Sequence, residues 1–322
     1  MLGKHIWALR KKQNIEIEKV SEISGIAVDV LKEIESSNVV KIPNTDLAQI
    51  SKAFSFAKIP DYLNFLNMNG KTRRFRLYAT GLPKTGTVSL YGVFKNYASK
   101  HEFLQWDTNC KTIDFQQNKI STEEFSEFID YRDSLGCMEL DSAYFNSKYI
   151  NTLLNLYPES KFIILFREPA SWVKSHINYF MPLERSAIHA IESDNGFPFD
   201  IPPGDQQIRD ELINNIEKYI EVPFKSWARA FDKILDETKS LDKDRILFVN
   251  TSNIDNNISN FSRLANVEIE SLISENKHLN KANYTINVLD LVGKENIDGI
   301  VKKHCLDIYK KLEEKERWST SR

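Results

Sequence analysis

The sequence predicts an α/β protein in which a parallel sheet flanked by helices follows a small all-α domain. Two apolar runs predict the sheet. Residues 77–80 form a short β-prone run that leads into a glycine-punctuated turn and then a helical pattern, and residues 162–166 are five successive apolar residues that need cover on both faces. Strands that alternate with helices are typical of a parallel sheet, whose ligands bind beyond the carboxyl ends of the strands.

The composition is that of a globular protein with a core large enough for two domains. The chain has 322 residues, of which 41% are hydrophobic and 11% aromatic, and its formal net charge is -2. This balance gives no overall attraction to nucleic acid or to a membrane surface, so any polyanion site must be local. The three cysteines are far apart and lack metal-ligand spacing, which suits a reducing compartment. With no apolar leader and no window of ~18 apolar residues, we expect a cytoplasmic protein without a membrane span.

The N-terminal part of the chain is predicted to be a separate helical domain. We place this domain at residues 1–68, a polar linker at 69–73 and the second domain at 74–322. Apolar residues at helical spacing mark about five short helices, and Ser24-Gly25-Ile26 lies where two of them would meet. Together with Ile34-Glu35, these positions resemble the helix-turn-helix domain of phage-repressor type.

The residues that would enter the DNA major groove argue against DNA binding by this domain. In that family the recognition helix presents polar or basic side chains, and here the corresponding positions hold Val28, Asp29 and Lys32. Residues 1–70 carry nine Lys or Arg and eight Asp or Glu, a net charge of +1. This is far from a basic footprint, so we favour packing or homodimerisation over DNA binding.

The turn that follows the first strand is predicted to bind an anion. Gly81 and Pro83 end the strand, and the apolar spacing after Gly86 fits a helix. Backbone N–H groups at a helix N-terminus bind anions, and Lys84 adds a positive charge beside them. The P-loop of nucleotide triphosphatases needs Lys and then Ser or Thr directly after its second Gly, whereas Gly86 is followed by Thr87. This difference disfavours a nucleoside or shikimate-type kinase that uses Mg·ATP.

Three segments resemble one family. The order Pro83-Lys84-Thr85-Gly86-Thr87 resembles the 5′-phosphosulfate-binding loop of sulfotransferases that use 3′-phosphoadenosine 5′-phosphosulfate (PAPS). Residues 162–175 resemble the family's 3′-phosphate-binding segment, in which Arg167 at the strand end and Ser175 grip the nucleotide. Residues 277–281 look like a His-x-Asn segment that folds back over the donor. The order of these parts, from residue 74 to 284, matches a bacterial P-loop sulfotransferase.

The resemblance implies sulfuryl transfer from PAPS to a hydroxyl or amine, with 3′-phosphoadenosine 5′-phosphate (PAP) as product. The acceptor would be a small molecule or a glycan, of carbohydrate or lipid-like chemistry. Lys84 would neutralise the charge that develops on the leaving phosphate, so no metal is expected. The implied donor-binding residues are Pro83, Lys84, Thr85, Gly86, Thr87, Val88, Arg167, Ser175, His278, Asn280 and Lys281.

The residue that takes the proton of the acceptor is open among several candidates. The family uses His or a carboxylate, and Asp141, just past a strand predicted at 136–140, resembles an acidic residue that many bacterial members place there. Glu139 is the runner-up, because a one-step register error exchanges inward and outward residues. A purely structural role, as the N-cap of the helix that follows, is an equally strong interpretation of Asp141. The further candidates are His101, His176 and His278.

A second class of function uses the same donor site. In a transcription regulator, the sulfotransferase-like domain would sense the nucleotide without turnover. The lack of a basic recognition helix argues against this alternative. Lys84, Arg167 and Ser175 serve nucleotide binding under either function, so they do not separate the two.

Overall fold

The computed structural model describes residues 1–36, 41–180, 214, 216–273 and 291–321. The chain divides into two compact units. Unit 1 is Met1–Phe75 with Thr122–Glu139, and unit 2 is Arg76–Ser121 with Leu140–Arg322. The domains at 1–68 and 74–322 and the linker at 69–73 stay predictions, to which the structure adds that a segment from the middle of the chain groups with the N-terminal helices.

The secondary structure alternates between strands and helices from residue 77 onward. The strands are β1 (Leu77–Gly81), β2 (Ser99–His101), β3 (Leu140–Ser142), β4 (Lys161–Phe166) and β5 (Ile246–Asn250). The helices are α1 (Leu2–Lys12), α2 (Ile17–Ser24), α3 (Val28–Ser36), α4 (Asn44–Ser51), α5 (Ile59–Asn67), α6 (Thr87–Val93), α7 (Gln105–Gln116), α8 (Thr122–Gly136), α9 (Ile150–Leu156), α10 (Pro169–Phe180), α11 (Ile216–Tyr219), α12 (Glu221–Glu237), α13 (Ile258–Ala265), α14 (Lys294–His304) and α15 (Leu306–Thr320). Within the described ranges, none of the helices combines the length and the apolar character that crossing a membrane requires.

Helices α1 to α5 enclose an apolar core of their own in unit 1. The five short helices predicted from the apolar spacing are confirmed. Gly25 ends α2 with φ 71°, a left-handed conformation that favours glycine, and α3 begins three residues later. The assignment to the helix-turn-helix family stays a prediction. The core side chains include Leu2, Ile6, Val20, Leu31, Ile50 and Phe65.

Helix α8 belongs to unit 1 because it packs on α1. The Lys4 ammonium lies 3.1 Å from the Asp130 carboxylate, and the rings of Trp7 and Tyr131 meet edge to face at 6.2 Å. These contacts join residues more than a hundred positions apart, so the local apolar pattern did not predict them. The N-terminal helices and α8 therefore form one packed group.

Two ion pairs join the two segments of unit 1 near their C-terminal ends. The Arg73 guanidinium donates to both carboxylate oxygens of Asp133, at 3.0 and 2.9 Å. The Arg74 guanidinium donates to both oxygens of Glu139, at 2.7 and 2.7 Å. Paired donors of this kind match the planar fork of arginine to a carboxylate, and both carboxylates are buried.

The sheet of unit 2 has five parallel strands in the order β2-β3-β1-β4-β5. The predicted α/β fold with a parallel sheet is confirmed. The chain starts at the central β1, builds β2 and β3 on one side of it, and then crosses to β4 and β5 on the other side. Neighbouring β1 and β4 are therefore the switch point of the sheet, beyond whose carboxyl ends ligands of α/β folds bind.

The segment before β3 differs from the prediction. The strand expected at 136–140 is wrong: α8 continues to Gly136, Cys137 takes a left-handed φ of 45°, and β3 begins only at Leu140. Asp141 is consequently the central residue of β3 rather than the residue after it. Near the end of the chain, Cys305 separates α14 from α15.

Gly81 lies where β1 approaches β4 most closely. It is paired with Leu165 in the register of the two strands. A Cβ atom at Gly81 would collide with the backbone oxygen of Leu165 and with Oγ1 of Thr85. Because the Leu165 oxygen is part of the sheet, it cannot move aside without disturbing the strand pairing.

We predict that Gly81→Ala lowers the free energy of unfolding by about 3 kcal/mol through this collision. Urea denaturation followed by circular dichroism measures the change. The matched control is Gly299→Ala in α14, where a Cβ meets no atom within 4 Å and alanine is the better helix former. Equal urea midpoints for Gly81→Ala and the wild type would contradict the prediction.

Candidate functional site

The turn between β1 and α6 is stabilised by hydrogen bonds between its own residues. Thr85 is fully buried, and both its backbone N–H (3.2 Å) and its hydroxyl (2.7 Å) donate to the backbone oxygen of Leu82. Its two neighbours have left-handed backbones, Lys84 with φ 69° and Gly86 with φ 101°. The predicted phosphate-binding loop is therefore a tight turn, in which glycine relieves the strain at one of the two left-handed positions.

Two side chains from other elements anchor this loop. The indole Nε1 of Trp172, on α10, donates to the backbone oxygen of Pro83 at 2.7 Å. The hydroxyl of Thr251, which directly follows β5, lies 2.6 Å from the backbone oxygen of Thr85. The Trp172 ring also stacks on His176 at 4.6 Å. The sequence analysis missed both anchors, and no local pattern marks them.

Arg167 follows the last residue of β4 and is held by the helix after it. Its Nε donates to the hydroxyl of Ser171 at 2.8 Å. The carboxylate of Glu168 accepts hydrogen bonds from the backbone N–H groups of Ala170 (3.0 Å) and Ser171 (2.6 Å), so it caps the start of α10. Ser175 is half-buried one turn beyond Ser171 on the same face of the helix.

The site brings two like charges together at the carboxyl ends of β1 and β4. Burial and the positive charge of Arg167 lower the pKa of Lys84 to about 8, and the negative charge of Glu102 opposes them. Burial also lowers the pKa of Arg167, against the opposing charge of Glu168. Two partly dehydrated cations that repel each other favour an anion between or beside them.

A histidine flanks the loop on the β2 side. The Nε2 atom of His101 lies 3.2 Å from the hydroxyl of Thr87 and 3.6 Å from a carboxylate oxygen of Glu102. Burial lowers the pKa of His101, and the charge of Asp141 opposes this shift. The hydroxyl of Ser142 donates to the backbone oxygen of Thr87 at 2.7 Å, which ties β3 to the start of α6. His101 therefore lies beside the loop, in hydrogen-bond contact with Thr87.

The two predicted carboxylates have different surroundings. Asp141 lies in the middle of β3 with 1% of its surface exposed. It is not the N-cap of the next turn, because Ala143 precedes the 3-10 helix Tyr144–Lys148. Glu139 is buried in its ion pair with Arg74.

The structure brings most of the predicted donor residues to one place. The loop residues follow β1, and Arg167 and Ser175 follow the neighbouring β4. His278, Asn280 and Lys281 lie outside the described residues. Within the described part of the chain, no group of three or more His, Cys, Asp and Glu side chains could hold a metal ion. The loop residues are Pro83, Lys84, Thr85, Gly86, Thr87 and Val88.

A comparison with protein families finds a match that begins at the first strand of the sheet. Residues 77–196 match the family model of a sulfotransferase domain. No curated protein matches the chain. The matched segment begins at β1 and includes the Lys84 loop, Arg167 and Ser175. The match supports sulfotransferase activity in general, and the five-stranded parallel sheet flanked by helices fits a sulfotransferase-like fold.

The pKa of Lys84 predicts a pH dependence of anion binding. Below the pKa of about 8 the side chain is already charged, so the affinity for sulfate should be constant. Above it, binding must take up a proton, and the affinity should fall by up to about tenfold per pH unit. Sulfate keeps its charge over this range and Arg167 stays protonated, so a calorimetric titration of sulfate at several pH values isolates Lys84. Lys84→Arg is the control and should flatten the profile, and an unchanged slope in that variant would contradict the assignment.

Proposed function

We propose that the protein is a PAPS-dependent sulfotransferase that transfers a sulfuryl group to a hydroxyl or amine of its acceptor. The observation that carries the proposal is the placement of Lys84 and Arg167 after neighbouring strands β1 and β4, at the switch point of a parallel sheet. The family match over residues 77–196 supports the reaction class. The donor and the acceptor are inferences from the chemistry of the site.

The residues of the site fit a nucleotide with two phosphate groups. Two half-buried cations lie on adjacent segments and raise each other's energy, so a ligand with two separate anionic groups relieves both. We assign the 5′-phosphosulfate to Lys84 and the backbone N–H groups of residues 85–88, and the 3′-phosphate to Arg167 and Ser175. The donor, when bound, supplies the sulfuryl group and a phosphate leaving group. His278, Asn280 and Lys281 are proposed to complete the donor site.

Lys84 carries the electrostatic part of the proposed mechanism. Its ammonium group neutralises the negative charge that grows on the leaving phosphate, within a loop whose geometry is fixed before the reaction. The arriving anion opposes the burial effect and raises the pKa of Lys84 again, which keeps the side chain charged when it is needed. Arg167 holds the nucleotide in place, and such positioning accounts for much of the rate of group transfer.

We propose Asp141 as the group that takes the proton of the acceptor, with His101 as the alternative. Asp141 lies on β3, next to β1 in the sheet, and its negative charge acts to raise the pKa of His101. Glu139 is the weaker candidate, because its carboxylate is bound by the Arg74 guanidinium. A proton acceptor must come within hydrogen-bond reach of the substrate hydroxyl.

The acceptor is proposed to be a small molecule or a glycan, of carbohydrate or lipid-like chemistry, and the protein to be cytoplasmic. For the N-terminal helices we propose packing or homodimerisation rather than DNA binding. Ile59 and Leu63 support an interface role, since they lie one turn apart on α5 with 76% and 50% of their surfaces exposed. A nucleotide-sensing regulator would bind PAPS without producing PAP, so release of PAP during incubation with acceptors separates the two functions.

Calorimetric titration with PAP tests the donor site. We expect micromolar binding by the wild type and a loss of at least about tenfold with Arg167→Ala or Lys84→Ala, since each removes a charge-assisted contact. Lys239→Ala removes an exposed surface lysine and should leave the affinity unchanged. Absence of PAP binding to the wild type, especially together with binding of Mg·ATP, would refute the proposal in favour of a kinase.

Turnover measurements identify the base. With an accepted hydroxyl acceptor, we expect Asp141→Asn to lower kcat by about a hundredfold while the affinity for PAP stays within about threefold of the wild type. His101→Gln is the comparison variant and should lose less. A large loss in His101→Gln with little change in Asp141→Asn would transfer the role to His101.

A further inference from the structure

One hydroxyl group touches both of the segments that carry the donor-site cations. The Oγ1 atom of Thr251 lies 2.6 Å from the backbone oxygen of Thr85 and 3.0 Å from that of Phe166. Thr85 directly follows Lys84, and Phe166 directly precedes Arg167. Thr251 therefore spans the distance between the loop after β1 and the end of β4.

The methyl group of the same side chain supports the loop independently. A Cβ atom at Gly86 would lie 3.1 Å from Cγ2 of Thr251 and 2.9 Å from Cδ1 of Ile254. These two side chains therefore pack closely against the backbone of Gly86, whose φ of 101° is the left-handed position of the turn. Both branches of Thr251 are thus engaged with the donor site, one by hydrogen bonding and one by packing.

This link acts between two groups that repel each other. The charge of Arg167 lowers the pKa of Lys84, so the two cations disfavour each other's proximity when no anion is present. A threonine hydroxyl has a single proton and can donate to only one of the two carbonyl oxygens at a time. It nevertheless holds either segment within reach of the other, because both oxygens stay in contact with Oγ1.

We propose that Thr251 is a positioning residue that fixes the spacing between Lys84 and Arg167, and thereby makes the site select nucleotides with phosphates at both the 3′ and the 5′ positions. This role rests on the donor site proposed above. It acts through the backbone of the two segments, and Thr251 itself need not touch the nucleotide. The affinity gained from the second phosphate should consequently depend on the Thr251 hydroxyl, whereas the affinity for either phosphate alone should not.

The experiment compares three nucleotides by calorimetry: PAP, adenosine 5′-monophosphate and adenosine 3′-monophosphate. Thr251→Val keeps the shape and the packing on Gly86 but removes the hydroxyl. We expect it to bind PAP about tenfold more weakly, as for the loss of one hydrogen bond, and each monophosphate within about twofold of the wild type. Thr251→Ser keeps the hydroxyl and should retain most of the affinity for PAP.

The matched control is Thr238→Val. Thr238 is also a threonine whose hydroxyl donates to a backbone oxygen, that of Ile234 at 2.7 Å, but it lies at the end of α12. Its affinities should equal those of the wild type. An unchanged affinity of Thr251→Val for PAP, or an equal loss for all three nucleotides, would overturn the role. If Thr251→Val does not fold, Thr251→Ala against Thr251→Ser makes the same comparison, and equal affinities for PAP would overturn it. Failure of the wild type to bind PAP would instead refute the donor site itself.

Discussion

The repulsion between Lys84 and Arg167 is the constraint on which the candidate site depends. Each cation is half-buried, and the lowered pKa of both side chains reflects the cost of that burial. Neighbouring carboxylates offset part of the cost, Glu102 for Lys84 and Glu168 for Arg167. Two positive charges this close destabilise each other, and a bound polyanion relieves the repulsion. The electrostatics of the site therefore fit the proposed donor.

The remainder of the sheet holds these charges in place. Glycine at position 81 lets β1 approach β4 so closely that the segments after the two strands become neighbours. Trp172 and Thr251 then fix the loop from α10 and from the end of β5. Each anchor bonds to a backbone oxygen of the loop, and the Thr85 hydroxyl closes the turn from within. Preorganisation of this kind lowers the cost of binding and of charge stabilisation.

Local patterns in the sequence predicted the elements but few of the contacts between them. The five apolar residues of 162–166 and the Lys84 turn have signals within one short window, so β4 and the loop were predicted with nearly the observed bounds. Strand β2 has only three residues, too few for a periodic pattern. The anchors Trp172 and Thr251 are separated from the loop by 89 and 166 positions. Such contacts depend on strand order, which the sequence alone did not provide, and nothing in the neighbouring sequence distinguishes these two side chains.

The most direct measurement of the central claim is a phosphorus-31 NMR titration of PAP with the wild type, Lys84→Ala and Arg167→Ala, because it reports on each phosphate separately. If the loop holds the 5′-phosphate and Arg167 the 3′-phosphate, both resonances shift on binding to the wild type. Lys84→Ala should then selectively reduce the shift of the 5′ resonance, and Arg167→Ala that of the 3′ resonance. Two results would contradict a site in which two separate cations bind the two phosphates of one nucleotide. One is the absence of shifts in the wild type, and the other is an equal change for both phosphates in both variants.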